Sequence, residues 1–196
     1  MAIYGNLTER PMGQHGIFEA SLLKSILSGH LWDCLCVDNM TDKNPIDMDN
    51  GVCVKVGPFT NNADGLQERY AVIAGVKDKI GVTGSIVNVK DARTKLEETE
   101  PYFYVRAGED SKVYEVIGDE FDGDIFGVGL HQFTNATKTL VKRDNYVVLD
   151  GTGKYVAMAT KPVMNNYGFV ARIHSIWTNN DYTIVRLYVI QNKDNN

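Results

Sequence analysis

The clearest structural signal in the sequence is the stretch FVARIHSIWTNNDYTIVRLYVI, residues 169–190. Two runs rich in β-branched and aromatic side chains, residues 169–177 and 182–190, flank a polar Thr-Asn-Asn-Asp tetrapeptide. β-Branched and aromatic residues favour strands, and a short polar connection between two such runs is typical of a hairpin. The stretch therefore predicts a pair of antiparallel strands.

Hydrophobic alternation continues through most of the chain before this hairpin. Val52, Val54 and Val56 alternate with Cys53 and Lys55, as expected for a strand with one buried face. Further predicted strands are residues 70–74, 80–89, 102–106, 112–117, 124–128, 146–149 and 154–159. Many short strands separated by turns predict a mainly β fold, an antiparallel β-barrel or sandwich body over residues 51–196.

The first fifty residues follow a different pattern, which predicts a division into residues 1–50 and 51–196. Residues 1–16 hold four Gly or Pro residues among mixed polar ones, typical of an extended N-terminal arm. Apolar residues at offsets of four and five predict one short helix within residues 17–31, centred on residues 18–27.

Two shorter stretches complete the predicted structure. Residues 31–37 resemble a strand, and residues 38–50 have the Asp, Asn and Pro content of a loop. Residues 91–99 are a further candidate helix or turn, and the polar residues 193–196 are predicted to fray.

Composition narrows the classes of function. The chain has 196 residues and a formal net charge of -5. Binding to nucleic acid needs clustered Lys and Arg side chains, so this charge gives no reason to expect it. No apolar run is long enough to span a membrane, and the first residues lack the pattern of a secretory signal, so we expect synthesis in a cytosol. Cys34, Cys36 and Cys53 lack a second Cys or His pair at zinc spacing and are predicted to be buried, reduced thiols.

Candidate chemistry is sparse, and each candidate has a structural alternative. The acidic residues 119–124 could hold a hard cation, but the twelfth position of a calcium loop would be Leu130, and a solvated turn is favoured. Residues 81–85 lack the Lys-Ser/Thr ending of a phosphate loop. The four histidines, among them His174 in a predicted strand, fall in no metal or catalytic motif. Trp32 and Trp177 could form a platform for a sugar, although packing within the sheets is favoured.

Three stretches resemble small virion structural proteins of tailed bacteriophages, of the head-decoration type. They are Met-Ala-Ile-Tyr-Gly-Asn-Leu at residues 1–7, the turn and strand at residues 49–57, and residues 104–121. The resemblance implies a structural protein that binds and stabilises the capsid surface, made in the bacterial cytoplasm and located in the virion. It implies as partners the major capsid protein and neighbouring copies in a homo-oligomeric assembly. It carries no catalytic residue, so we expect no enzymatic activity and no cofactor. A carbohydrate-binding or host-attachment module of the virion remains the alternative.

The arm supplies the candidate partner-binding residues. Ile3, Tyr4, Leu7 and Met12 are apolar points along residues 1–16, spaced so that they could enter grooves of a neighbour. A segment with so few large apolar groups cannot order itself, so we expect it to be mobile in the free protein and ordered in the assembly. Deletion of residues 1–16 is expected to leave the body folded and to weaken binding to the particle.

Overall fold

The computed structural model describes residues 16–20, 23, 31–61, 68–85, 104–178 and 183–195. Strands dominate these residues, which confirms the predicted mainly β fold. In chain order the strands are β1 (Phe18–Glu19), β2 (Leu31–Cys36), β3 (Met48–Asp49), β4 (Cys53–Phe59), β5 (Arg69–Ile73), β6 (Gly81–Thr83), β7 (Tyr104–Val105), β8 (Asp110–Glu115), β9 (Ile125–Gly129), β10 (Tyr146–Leu149), β11 (Tyr155–Met158), β12 (Phe169–Thr178) and β13 (Thr183–Asn192). Short 3-10 helices occupy Leu130–Gln132, Asn135–Leu140 and Met164–Asn166.

One half of the fold is a six-stranded antiparallel sheet with the order β1-β9-β13-β12-β10-β11. The predicted hairpin forms its centre, because β12 and β13 pair from Phe169 opposite Asn192 to Thr178 opposite Thr183. Along β13 every second residue from Val185 to Gln191 is buried, which is the alternation of a strand with one face on the core.

The other half is a closed barrel with the order β2-β5-β4-β6-β8. Its pairs are antiparallel except β2 with β5, which run parallel. Inside the barrel the buried Cys34, Cys36, Val54, Ala71 and Val113 pack in one cluster. Closure removes the unpaired edges that a sheet of this length would otherwise expose.

The barrel packs one outer side against the six-stranded sheet. Neighbouring residues of one strand belong to two different hydrophobic cores. Val54 faces the barrel interior, whereas Cys53 packs in the larger core with Phe126 and Leu187 of the sheet. Gly84 makes the approach possible, because a Cβ atom there would lie 2.1 Å from the Phe18 ring. The two cores are therefore built from alternate residues of shared strands.

Phe18 and Glu19, at the start of the predicted helix, form a strand instead. Phe18 and Glu19 form β1 and pair with Val128 and Gly127 of β9. The Glu19 carboxylate reaches across β9 to Arg186 of β13 in two bonds of 2.7 Å, and Gly127 leaves the space for this ion pair. Tertiary contacts thus hold Phe18 and Glu19 as a strand. Residues 1–15, most of the predicted helix and the candidate at residues 91–99 lie outside the described residues.

Strands on both sides of residue 50 combine in every sheet. β1 pairs with β9, β2 with β5 and β8, and β3 with β7. Residues 31–36 are a strand as predicted, and they form an integral part of the barrel wall.

The prediction that the tail frays is wrong for residues 193–195. Lys193 N donates to Gly168 O at 3.0 Å, and Asn195 N donates to Lys77 O at 2.9 Å. The Asp194 carboxylate accepts from Lys79 N at 2.8 Å. Side chains and backbone of the tail thus attach the end of β13 to the loop before β6.

Candidate functional site

An open cleft of about 450 Å³ lies beside β3. Its lining comes from six parts of the chain: Gly16, residues 47–49 with β3, the residue before β4, the end of β5, the helical turns after β9, and the loop between β10 and β11. The lining residues are Gly16, Asp47, Met48, Asp49, Val52, Ile73, His131, Gln132, Asn135, Lys138, Thr152, Gly153 and Lys154. The volume falls within the range of roughly 300–1,000 Å³ typical of ligand sites.

Gln132 fixes the wall of this cleft. Its Oε1 accepts from Ile17 N at 3.0 Å and from Gly129 N at 2.7 Å, and its Nε2 donates to Asn50 O at 3.0 Å. One side chain thereby joins the start of β1, the end of β9 and the turn after β3. Gly51 beside it has a φ of +73°, and a Cβ there would lie 2.5 Å from Ile17 O, so this close approach requires glycine.

Opposite charges line different parts of the cleft. Asp47 and Asp49 flank Met48, and one oxygen of Asp47 accepts from Ala107 N at 2.9 Å. Lys138 lies on the helical turn after β9, and Lys154 lies just before β11. Within the part of the chain that the structure describes, neither lysine forms an ion pair. The cleft thus offers carboxylates on one element and ammonium groups on two others.

A second feature is a rigid turn that carries an exposed aromatic ring. Asp119 Oδ1 accepts from Phe121 N at 2.8 Å and from Asp122 N at 2.9 Å. Tyr188 Oη accepts from Gly123 N at 3.2 Å and donates to Glu120 O at 3.1 Å, which holds the turn against β13. The interpretation of residues 119–124 as a turn is therefore confirmed. Asp124 is buried, and its Oδ2 accepts from Ile117 N at 2.7 Å.

The turn and the neighbouring segment of residues 161–163 each present an apolar side chain to solvent. Phe121 is 92% exposed and Val163 is 67% exposed. An ion pair of 3.4 Å between Lys161 Nζ and Glu120 Oε1 places their two segments side by side. We call Glu120, Phe121, Lys161 and Val163 the Phe121 surface. Large apolar side chains on a rigid, solvated turn are typical of a binding surface rather than of a core.

The two tryptophans lie apart and in different surroundings. Trp32 packs against the barrel cluster, and the Arg69 guanidinium covers its ring at 4.3 Å while lying 4.0 Å from the Phe59 ring. Trp177 lies near the end of the β12–β13 hairpin and is 47% exposed. The packing interpretation therefore describes Trp32, whereas Trp177 keeps an accessible ring.

The other predicted candidates have structural surroundings. The three thiols are free and buried, as predicted. Burial raises the pKa of Cys36 to about 11 and that of Cys53 to about 12, and it raises the pKa of Cys34 further. Residues 81–83 form β6 inside the barrel wall, and His174 is exposed on β12.

Ile3, Tyr4, Leu7 and Met12, the predicted partner-binding residues, lie outside the described residues. Among the described residues, no three His, Cys, Asp or Glu side chains are grouped as metal ligands. No helix in the described ranges is long and apolar enough to cross a membrane.

Sequence reasoning missed both the cleft and the Phe121 surface. The cleft has no local signal, because its lining combines residues more than a hundred positions apart. Phe121 did have a signal: a large aromatic residue within Asp-Glu-Phe-Asp-Gly-Asp has no apolar neighbours with which to pack. Comparisons with protein-family models, curated proteins and solved structures found no match for this chain.

Proposed function

We propose that this chain is a structural virion protein that binds and stabilises the capsid surface of a tailed phage. Its partners are the major capsid protein and neighbouring copies of itself, in a homo-oligomeric assembly on the virion. It acts by contact area, without catalysis or a cofactor. The resemblance of residues 1–7, 49–57 and 104–121 to head-decoration proteins motivates the proposal.

The observation that supports this function best is the Phe121 surface. A side chain that is 92% exposed contributes little to packing within its own molecule. Asp119 Oδ1 accepts from two backbone N–H groups of the turn and Tyr188 Oη donates to Glu120 O, so the backbone of the turn loses little conformational entropy when a partner covers it. A rigid aromatic anchor beside a polar ion pair has the composition of a protein interface.

The proposal is tested by binding the purified protein to phage heads that lack it, measured by co-sedimentation. We expect saturation at many copies per head. Full burial of a Phe side chain is worth about 2 kcal/mol, so Phe121→Ala should weaken binding about 30-fold. Ile176→Ala is the matched control, because it also trims an exposed apolar side chain, 41% exposed, at a distance in sequence and on another element.

Two results would contradict this proposal. A protein that fails to bind heads is not a capsid-surface protein. A protein that saturates at only a few copies per head fits the alternative, a carbohydrate-binding or host-attachment module. The exposed ring of Trp177 favours that alternative, since an aromatic face can stack on a sugar. In that case Trp177→Ala should abolish adsorption to host cells and leave head binding unchanged.

A further inference from the structure

We propose that the cleft beside β3 binds residues 1–15 of a neighbouring copy, with Arg10 facing Asp47 and Asp49 and Glu9 facing Lys138 and Lys154. The inference deepens the proposed function and rests on it for the neighbour, since copies bound to a capsid lie side by side. Residues 1–15 would thus occupy the cleft, and the cleft would be their docking site.

The first argument is charge complementarity. Glu9 and Arg10 are adjacent and opposite in charge. Successive side chains of an extended segment point in opposite directions, so these two can face different walls at once. The cleft presents carboxylates on residues 47–49 and ammonium groups on Lys138 and Lys154. Among the described residues neither lysine has a carboxylate partner, so each can take one from the arm.

The second argument concerns the apolar part of the lining. Val52 and Ile73 border the cleft, and Ile73 is 39% exposed. Met12 follows Arg10 by two residues and therefore points to the same side of an extended segment. An arm seated by its charges would bring this apolar side chain into the cleft, where Ile73 and Val52 can cover it.

The third argument identifies which copy supplies the arm. Gly16 lines the cleft and is the first residue that the structure describes. An extended stretch over residues 11–15 would carry Arg10 away from its own cleft, and Pro11 favours extended backbone at Arg10. Fifteen extended residues reach about 50 Å, which exceeds the diameter of about 40 Å expected for a folded chain of this length. An extended arm therefore reaches the cleft of an adjacent copy.

The test is a photo-cross-link from the arm of the full chain. A benzophenone amino acid replaces Met12, and copies labelled with ¹⁵N are mixed with unlabelled copies. The mixture is irradiated in concentrated solution and when bound to heads, and mass spectrometry identifies the joined peptides. We expect cross-links to residues 47–52, 73, 131–138 or 152–154, in pairs that combine labelled and unlabelled copies.

A charge swap checks the pairing. Glu9→Lys should reduce the cross-link yield at least fivefold, and Glu9→Lys combined with Lys138→Glu should restore it. Lys138 lies on a 3-10 helical turn, and among the described residues its side chain forms no hydrogen bond or ion pair, so its reversal should leave the fold intact. Lys142→Glu is the matched control, because it makes the same charge change at an exposed residue outside the cleft and should restore nothing.

The outcomes separate this inference from the proposed function. Cross-links that stay within one copy, or that join the arm to residues outside the cleft in both settings, overturn the inference even if the protein coats heads. Mixed-isotope cross-links to the cleft in solution support it even if heads are not bound, and the capsid function alone then fails. An unchanged yield in Glu9→Lys overturns the proposed charge pairing.

Discussion

Asn192 at the end of β13 joins the two halves of the fold, and its removal should destabilise both. Its Oδ1 accepts from Ile80 N at 2.7 Å, and its Nδ2 donates to Ile80 O at 2.8 Å and to Val116 O at 2.7 Å. Each such bond contributes about 1 kcal/mol net. Asn192→Ala should therefore lower the free energy of unfolding by about 3 kcal/mol, which corresponds to a Tm lower by about 6 to 12 °C for a chain of this size.

Asn192→Asp is a more specific test, because the side chain keeps its shape and only the Nδ2 donor is replaced by an oxygen. At pH 7 the new carboxylate oxygen would face two carbonyl oxygens, so this variant should be less stable than Asn192→Ala. The carbonyls raise the pKa of the introduced carboxyl above its unfolded value. Its stability relative to the native chain should therefore recover at low pH, where the protonated carboxyl can donate, and should fall as pH rises through the raised pKa.

The assay is denaturant unfolding followed by circular dichroism at pH 4 and pH 7. Asn165→Ala is the matched control, because Asn165 is exposed on a 3-10 helix and should change stability by less than about 0.5 kcal/mol. The reasoning is refuted if Asn192→Ala matches this control, or if Asn192→Asp is the more stable of the two variants at pH 7.

Three further measurements follow from the packing. Burial raises the pKa of all three thiols, so none should react with Ellman's reagent at pH 8 until guanidinium unfolds the protein; rapid reaction in buffer would contradict their burial. A double-mutant cycle on Glu19 and Arg186 should give a coupling of about 1 kcal/mol that shrinks in 1 M salt, because the pair is partly exposed; a coupling independent of salt would show another origin. Gly84→Ala should destabilise by about 1–3 kcal/mol by displacing the Phe18 ring, and Phe18→Leu should relieve part of that cost; strictly additive effects would be inconsistent with the contact.

The sequence predicted correctly those strands whose signals lie within a few residues of each other. Residues 146–149 were predicted as a strand and are β10, and the two runs around the polar tetrapeptide pair as a hairpin. In both cases β-branched residues and a turn signal lie within a few positions of each other. The parallel contact of β2 with β5 has no such signal, because closure of the barrel joins residues 34–36 to residues 69–71.

The predictions for Phe18 and for the C-terminal tail were wrong because contacts with distant residues determine the structure there. Phe18 has the spacing of an amphipathic helix, but its ring packs between Tyr114 and Phe126 at centroid distances of 5.2 and 6.0 Å. The polar tail looked unstructured because its partners, residues 77–80 and 167–168, are far away in sequence. The cleft had no local signal for the same reason. The arm was predicted from composition alone, and both the arm and its role stay predictions.

The position of β13 also governs the order of events during synthesis. It is the last of the described strands, yet it lies between β9 and β12 within the sheet, so the ribosome must produce Thr183–Asn192 before β9 has its central neighbour. Until then Phe126, Val128 and Phe169 have no complete core to enter. A chain that stops short of β13 therefore leaves apolar side chains and the edges of β9 and β12 exposed, and such a product should be prone to aggregation.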